Sequence, residues 1–259
     1  LGDVYKRQDI SVLAPIGLDH QQYLGNTLAE IAGEKAAIIA PGKPVVTAVQ
    51  EPEAMAVIEW TARERLSPLT VARANSGTPR PSLPGPHQIE NAALALETMK
   101  QLNALPESAL IERALKSVQW PGRFERIGTP PLVLDGAHNE HAARVLTATW
   151  NEEFPGQKAA LVFAAAADKQ IRDMIPVFRE IAGEWHLVPC SSPRIMPAED
   201  MVALLKNLVS EPVFIHSSLS EGLRKAVESP LPALAAGSLF LLGDLKALLH
   251  RTEKRTTSQ

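Results

Sequence analysis

Lys35 stands where a helix should be apolar, and His20 lies just ahead of it. Thr27 followed by Glu30 is a capping-box signature, in which the Thr hydroxyl and the Glu carboxylate cover backbone N–H groups that lack helical partners. A helix opening there, projected at about 100° per residue, puts Leu28, Ile31, Ala32 and Ile39 on one face with Lys35 in its middle. Glu30 and Glu34 point elsewhere and offer no simple same-face ion pair. One reading lays the lysine methylenes along the core and brings the ammonium to water. The other is chemical. A lysine held out of water gives up its proton more readily, its neutral amine can add carbon dioxide, and the carbamate is an oxygen ligand for a hard metal ion. His20 is the second candidate ligand, although a lone loop histidine also serves as a surface or hydrogen-bonding group.

Three later runs carry polar residues at positions that could hold an anionic ligand. In HQIENAALAL, Asn91 is either a solvent-facing helix residue or a ligand contact. In WPGRFE, Arg123 follows a tight turn, where its planar guanidinium can pair with a carboxylate, stack on a base or clamp a phosphate. In LDGAHNEHA, Asp135 and His138 stand at the end of an apolar strand, where an Asp can also cap the next helix.

These residues need elements to position them. From Ile10 to Gly17 the pattern is strand-like, followed by the Thr27 helix, a strand near Val45 to Val49, a helix near Pro52 to Leu66 and a strand near Leu69 to Ala72. Asn75 to Pro86 is dense in Gly, Pro and Ser and reads as a loop. Helices are expected from Gln88 to Leu102 and Glu107 to Val118, and Trp120 to Gly122 ends them at a domain boundary. Beyond it the strand-like runs PLVLD, KAALVFA, WHLVP, PVFIH and SLFLL alternate with helical stretches near Glu140 to Trp150, Ile171 to Ile181, Ala198 to Val209, Ser220 to Val227 and Leu245 to Leu249. Repeated strand–helix alternation implies a parallel sheet covered on both faces, with ligands held off the carboxyl ends of its strands.

Composition narrows the classes. At 259 residues the chain has room for one large domain or two smaller ones, and 45% hydrophobic residues are enough for a buried core. A net charge of −3 without a long basic run argues against nucleic acid as partner. The single cysteine, Cys190, excludes an internal disulfide. With no signal-peptide pattern and no apolar stretch reaching about 18 residues, no membrane span is expected and the cytoplasm is the default compartment. Residues 1–8, LGDVYKRQ, read as a translated adapter remnant outside the fold, and residues 251–259 as a flexible polar tail.

The run LDHQQYLGNTLAEIAGEKAAII resembles a signature of the folylpolyglutamate synthase and dihydrofolate synthase family, a branch of the Mur ligases. HQIENAALAL, WPGRFE, LDGAHNEHA and GSLFLLGD match in order, so the likeness runs from about residue 9 to residue 250. The resemblance implies an α/β chain, with residues 9–120 the remainder of a P-loop-type ATPase domain and residues 121–250 a smaller Rossmann-like parallel-sheet domain. It implies that His20 and a carbamylated Lys35 hold magnesium, that Asn91 contacts the adenine of ATP, that Arg123 lies over ATP at the domain junction, and that Asp135 contacts the nucleotide with His138 beside it. Ser191, Pro193 and Arg194 resemble a segment near the amino-acid substrate. Asp168 and Lys169 resemble part of an interdomain run, with Gln170 in place of its last Asp.

The implied chemistry is ATP-driven amide synthesis. A carboxylate of dihydropteroate or of a folate's glutamate tail is phosphorylated, and the amine of L-glutamate displaces the phosphate. No GxxxxGK[ST] phosphate loop occurs in the 259 residues, and the family's loop lies upstream of the His20 run, so the chain reads as the later part of a monomeric ligase, inactive alone. Another Mur-type amino-acid ligase and a noncatalytic nucleotide-binding module remain as alternatives. Limited proteolysis is expected to cut first near Trp120–Gly122 or within 75–86; early cleavage inside 132–162 would count against this division.

Overall fold

The computed structural model describes residues 8–19 and 21–256. His20 and residues 1–7, which carry most of the supposed adapter remnant, lie outside the described residues. The chain forms two compact units, one from the residues up to Ser82 with Pro86–Val118, the other from Leu83–Gly85 with Gln119 onward.

The first unit runs β1 (Ser11–Leu13), α1 (Gln21–Leu24), α2 (Leu28–Ala36), β2 (Val45–Thr47), α3 (Pro52–Glu64), β3 (Leu69–Val71), α4 (Pro86–Gln101) and α5 (Ser108–Ser117). Its three-stranded sheet has the order β1-β2-β3, all parallel. Side chains alternate across a strand, so Val45 packs with Ile31, Ala36 and Ile58 from α2 and α3, while Val46 joins Leu94 of α4 on the other face. The capping box forms as its spacing requires: Glu30 N–H donates to the Thr27 hydroxyl at 3.2 Å, and Thr27 N–H to the Glu30 carboxylate at 3.1 Å.

The second unit runs β4 (Glu125–Ile127), β5 (Leu132–Leu134), α6 (Glu140–Glu153), β6 (Ala159–Phe163), α7 (Ile171–Arg179), β7 (Ala182–Leu187), α8 (Ala198–Leu205), β8 (Val213–Ile215), α9 (Leu219–Glu228), β9 (Ala233–Ala236) and α10 (Leu239–Thr256). The sheet order is β4-β5-β9-β6-β7-β8, parallel except for β4, which runs antiparallel to β5. On one face Val133, Leu161, Phe163, Trp185 and Leu234 pack against α6, α7 and α8; on the other Leu134, Val162 and Ala235 meet α9 and α10. Cores of this kind lose about 2–5 kcal/mol when a buried Leu is cut to Ala.

Three expectations are corrected. SLFLL is not a strand: β9 is the alanine run before it, and Leu239 opens a helix. Gly237, at φ 110°, turns the chain, and the Ser238 hydroxyl accepts the Phe240 N–H at 3.1 Å. A short apolar run does not distinguish strand from helix by itself; here Leu241, Leu242 and Leu245 are buried while Leu239 and Phe240 are exposed, a helical spacing. The same helix continues to Thr256, so residues 251–256 are helical where a loose tail was expected. β4 was not anticipated, because three residues beside a turn carry too little pattern. Among the described residues no helix is long and apolar enough to cross a membrane.

One buried polar pair lies inside the second unit. His186 of β7 and His216 after β8 are both buried, with His186 Nδ1 and His216 Nε2 2.9 Å apart, so one ring donates and the other accepts. Glu184 holds the far side of His186 at 3.1 Å, and Phe214 stacks on it at 5.2 Å. Burial lowers the pKa of His216, with His186 and Lys225 acting the same way and Glu221 opposing. The unfolded chain therefore takes up a proton near pH 6.5 where the folded chain resists it, and stability falls as pH drops below that point. Thermal melts from pH 8 to pH 5 are expected to show this fall, and His216→Asn to flatten it; parallel curves for the two proteins would refute the assignment.

Candidate functional site

Parallel strands buried on both faces deliver their loops to one edge, and there the second unit gathers its polar residues. Past β5 the ladder continues for one bond, Asp135 N–H to Ala235 O at 3.0 Å, and then the chain turns. The Asp135 carboxylate, half-buried, binds in two directions, accepting Ala137 N–H at Oδ1 and Phe124 N–H at Oδ2, both 2.9 Å. Gly136 N–H donates to Gly122 O at 2.8 Å, so the Gly122–Phe124 turn is docked on the Asp135–Ala137 turn. A Cβ on Gly136 would lie 3.2 Å from Arg123 Nη1 and 2.7 Å from Leu239 Cδ2, which places the guanidinium against this loop and explains why no side chain fits there. Burial pushes the Asp135 carboxyl above its ordinary range, opposed by its two N–H donors, Arg123 and His138.

His138 Nδ1 is 2.7 Å from Gly136 O, a carbonyl that can only accept. The ring is therefore protonated at Nδ1, and in its neutral form Nε2 carries the lone pair. Asn139 then caps α6, its Oδ1 accepting Ala142 N–H at 2.7 Å, and Glu140 sits in the first turn, pairing with Arg144.

A second group forms where the loops after β6 and β7 meet. Ala167 N–H donates to Arg194 O at 2.8 Å and Met196 N–H to Ala165 O at 2.9 Å, zipping the two loops together. Arg194 reaches Asp168 at 2.8 Å and lies over the Phe240 ring at 5.6 Å. Lys169 N–H closes the turn onto Ala166 O at 3.0 Å. Ser191 is held from α10 by Asp244, which accepts its N–H at 2.6 Å and its hydroxyl at 2.7 Å. Burial, with Asp244 adding to it, pushes the neighbouring Cys190 thiol up to about 12.

The first unit is less explicit. Asn91 is exposed on α4, its amide donating to Gln88 Oε1 at 3.1 Å. Lys35 is also exposed, in line with the reading that brings its ammonium to water and not with the one that holds it out of water. Its neighbours Ile31, Ala32 and Ala36 on α2 are buried in the core of the first unit, together with Ala54 and Ile58 of α3. His20, its supposed companion, lies outside the described residues. Among the described residues no group of three or more His, Cys, Asp or Glu could hold a metal ion. A pocket of about 570 Å³ opens beyond β3, lined in part by Arg73, Asn75, Glu97 and Lys100. It touches neither Asn91 nor Lys35, and the residue pattern gave no sign of it.

Residues 122–240 match the model of the Mur ligase, glutamate ligase domain. The dihydrofolate synthase/folylpolyglutamate synthase of Bacillus subtilis is 34% identical over 275 residues, covering 93% of this chain and 62% of that protein. The folylpolyglutamate synthase of Mycobacterium tuberculosis, solved with ADP and AMPPCP, superposes with a TM-score of 0.83 at 22% identity, over 93% of this chain and 63% of that one, and bears on the fold alone. The bifunctional folylpolyglutamate synthase/dihydrofolate synthase of Yersinia pestis, complexed with AMPPNP and a manganese ion, superposes at 0.80 with 27% identity, over 93% of this chain and 62% of that one. The match over residues 122–240 falls within the second unit. The chain is similar to the folylpolyglutamate and dihydrofolate synthases, and it spans about 62% of the length of the curated relatives it matches first.

Asparagine at position 135 would offer one acceptor oxygen where two N–H groups now bind. Asp135→Asn is expected to lower the unfolding free energy by about 1–3 kcal/mol, the cost of an unsatisfied buried donor. Urea unfolding checks this, and an unchanged midpoint would remove Asp135 from its bracing role.

Proposed function

We propose that this chain works as the carboxyl-terminal part of an ATP-dependent ligase that joins L-glutamate to dihydropteroate or to a folate already carrying glutamate. The observation that carries the reading is the match of residues 122–240 to a glutamate ligase domain, coinciding with Arg123, Asp135 and His138 clustered at the carboxyl end of β5. In this reading Asn91 meets the adenine of ATP, and Arg123 and Asp135 hold the nucleotide. Asp168, Lys169, Ser191 and Arg194 form the amino-acid side of the site.

The reaction joins two substrates through an acyl phosphate. A folate carboxylate becomes its acyl phosphate with ADP as the other product; the amine of glutamate then forms the new C–N bond, the C–O bond to phosphate breaks, and the amine gives up a proton. Arg194 supplies fixed N–H donors suited to a carboxylate of the incoming glutamate. His138 donates its Nδ1–H to Gly136 O, and in this reading Nε2 is the ring atom that would take the proton.

Magnesium supplies charge neutralisation between phosphates in such chemistry. The resemblance assigns it to His20 and a carbamylated Lys35. Exposure leaves the Lys35 amine open to carbon dioxide but gives it no apolar surround, and the described residues contain no ligand cluster. The described residues do not by themselves fit the ion, and no step here is routed through it.

The test is reconstruction. Supplied with ATP, L-glutamate and a folate, the 259-residue chain is expected to form no product. Joined to the P-loop region of the Bacillus subtilis relative, it is expected to add glutamate, detected by mass. A reconstructed protein that ignores folates and extends another acid acceptor would make this a different Mur-type ligase.

A further inference from the structure

The loop that presents Arg194 leaves β7 at Val188 and returns to the sheet edge at Ile195, where it is zipped to the loop after β6. That zipper holds one end. The other end has Asp244, one turn into α10, whose two carboxylate oxygens take the N–H and the hydroxyl of Ser191 at 2.6 and 2.7 Å. These are short, charge-assisted bonds of the stronger kind. The same helix supplies Phe240, whose ring lies under the Arg194 guanidinium at 5.6 Å. Phe240 and Asp244 are four residues apart, which puts them on one face of α10. Arg194 therefore has its planar head set between Asp168 on one loop and Phe240 on the helix, while Asp244 ties down the segment that carries it.

We propose that Asp244 is the positioning residue of the amino-acid site: by clamping Ser191 through both donors it holds the 191–194 loop so that Arg194 meets the carboxylate of the incoming amino acid. The assignment of that carboxylate rests on the ligase reading above; the clamp itself is geometry. Asp244 acts through Ser191 and touches no substrate. Losing it weakens capture of the amino acid while leaving the handling of ATP intact.

Two measurements separate the parts. In the 259-residue chain, Cys190 precedes the clamped residue and reports on it: Ser191→Ala, which removes one donor to Asp244 and keeps the carboxylate that raises the Cys190 thiol, is expected to speed iodoacetamide labelling of Cys190 roughly ten-fold, the scale of one lost hydrogen bond to a charged group. Asp168→Asn, which leaves the clamp alone, serves as the control and should label at the wild-type rate. Labelling that Ser191→Ala leaves at the wild-type rate overturns the clamp. In the reconstructed ligase, Asp244→Asn should raise KM for L-glutamate roughly ten-fold with KM for ATP and kcat nearly unchanged, and Ser191→Ala added to it should cause no further loss, because both act through one contact. Parallel changes in both KM values, or additive losses, overturn the positioning role. Faster labelling together with a wild-type reconstruction inactive on every amino acid would sink the ligase reading and with it the carboxylate, leaving the clamp as found.

Discussion

A parallel sheet buried on both faces is the constraint from which the second unit follows. Its strands carry apolar side chains in both directions, so polar residues are driven to the strand ends, and the parallel strand direction brings the carboxyl ends to one edge. The central strand β9 consists of Ala233, Leu234, Ala235 and Ala236, small enough to let α10 approach closely on one side. Asp135, His138, Asp168, Ser191 and Arg194 stand in the loops after β5, β6 and β7, where polar groups are kept at less desolvation cost than within the buried strands.

Within that edge, Asp135 carries two roles that are easily mistaken for one. Its oxygens accept N–H groups from two turns, so it braces the polypeptide as any half-buried carboxylate must. Each oxygen has a second lone pair, and the carboxyl lies beside Arg123 and His138. Asn139, not Asp135, caps α6, so the capping reading of Asp135 gives way to bracing, and bracing is compatible with ligand binding: the brace sets the direction in which the remaining acceptor capacity points. The same logic applies across the edge, where Asp244 braces Ser191 and Asp168 pairs Arg194.

The two halves of the candidate machinery differ in how far the described residues complete them. The loops of the second unit hold one another through backbone and carboxylate bonds and need nothing further to keep their shape. Lys35 and Asn91 stand exposed on helices of the first unit, shaped by their own helices and by little else. A lysine there has the position that the resemblance asks for without the dry surroundings that its chemistry would use.

Much of the architecture could be read from residue order alone. The capping box at Thr27 and Glu30 and the apolar strands from Val45 to Thr47 and Ala159 to Phe163 depend on neighbours a few residues away, and local spacing is sufficient to specify them. The chemical runs were legible for the same reason, since Asp135, Gly136 and His138 act on one another within a single turn. What the sequence could not determine is what covers what. Whether SLFLL is a strand or a helix was decided by the turn at Gly237 and by the side of the sheet left for Leu241 and Leu245; whether Lys35 is dry was decided by packing around α2, which buries Ala36 and leaves Lys35 exposed. Asp244 and Ser191, far apart in the chain, and the His186–His216 pair became partners only when strands and helices were stacked, because burial and long-range hydrogen bonds are properties of surfaces brought together and not of the residues that compose them.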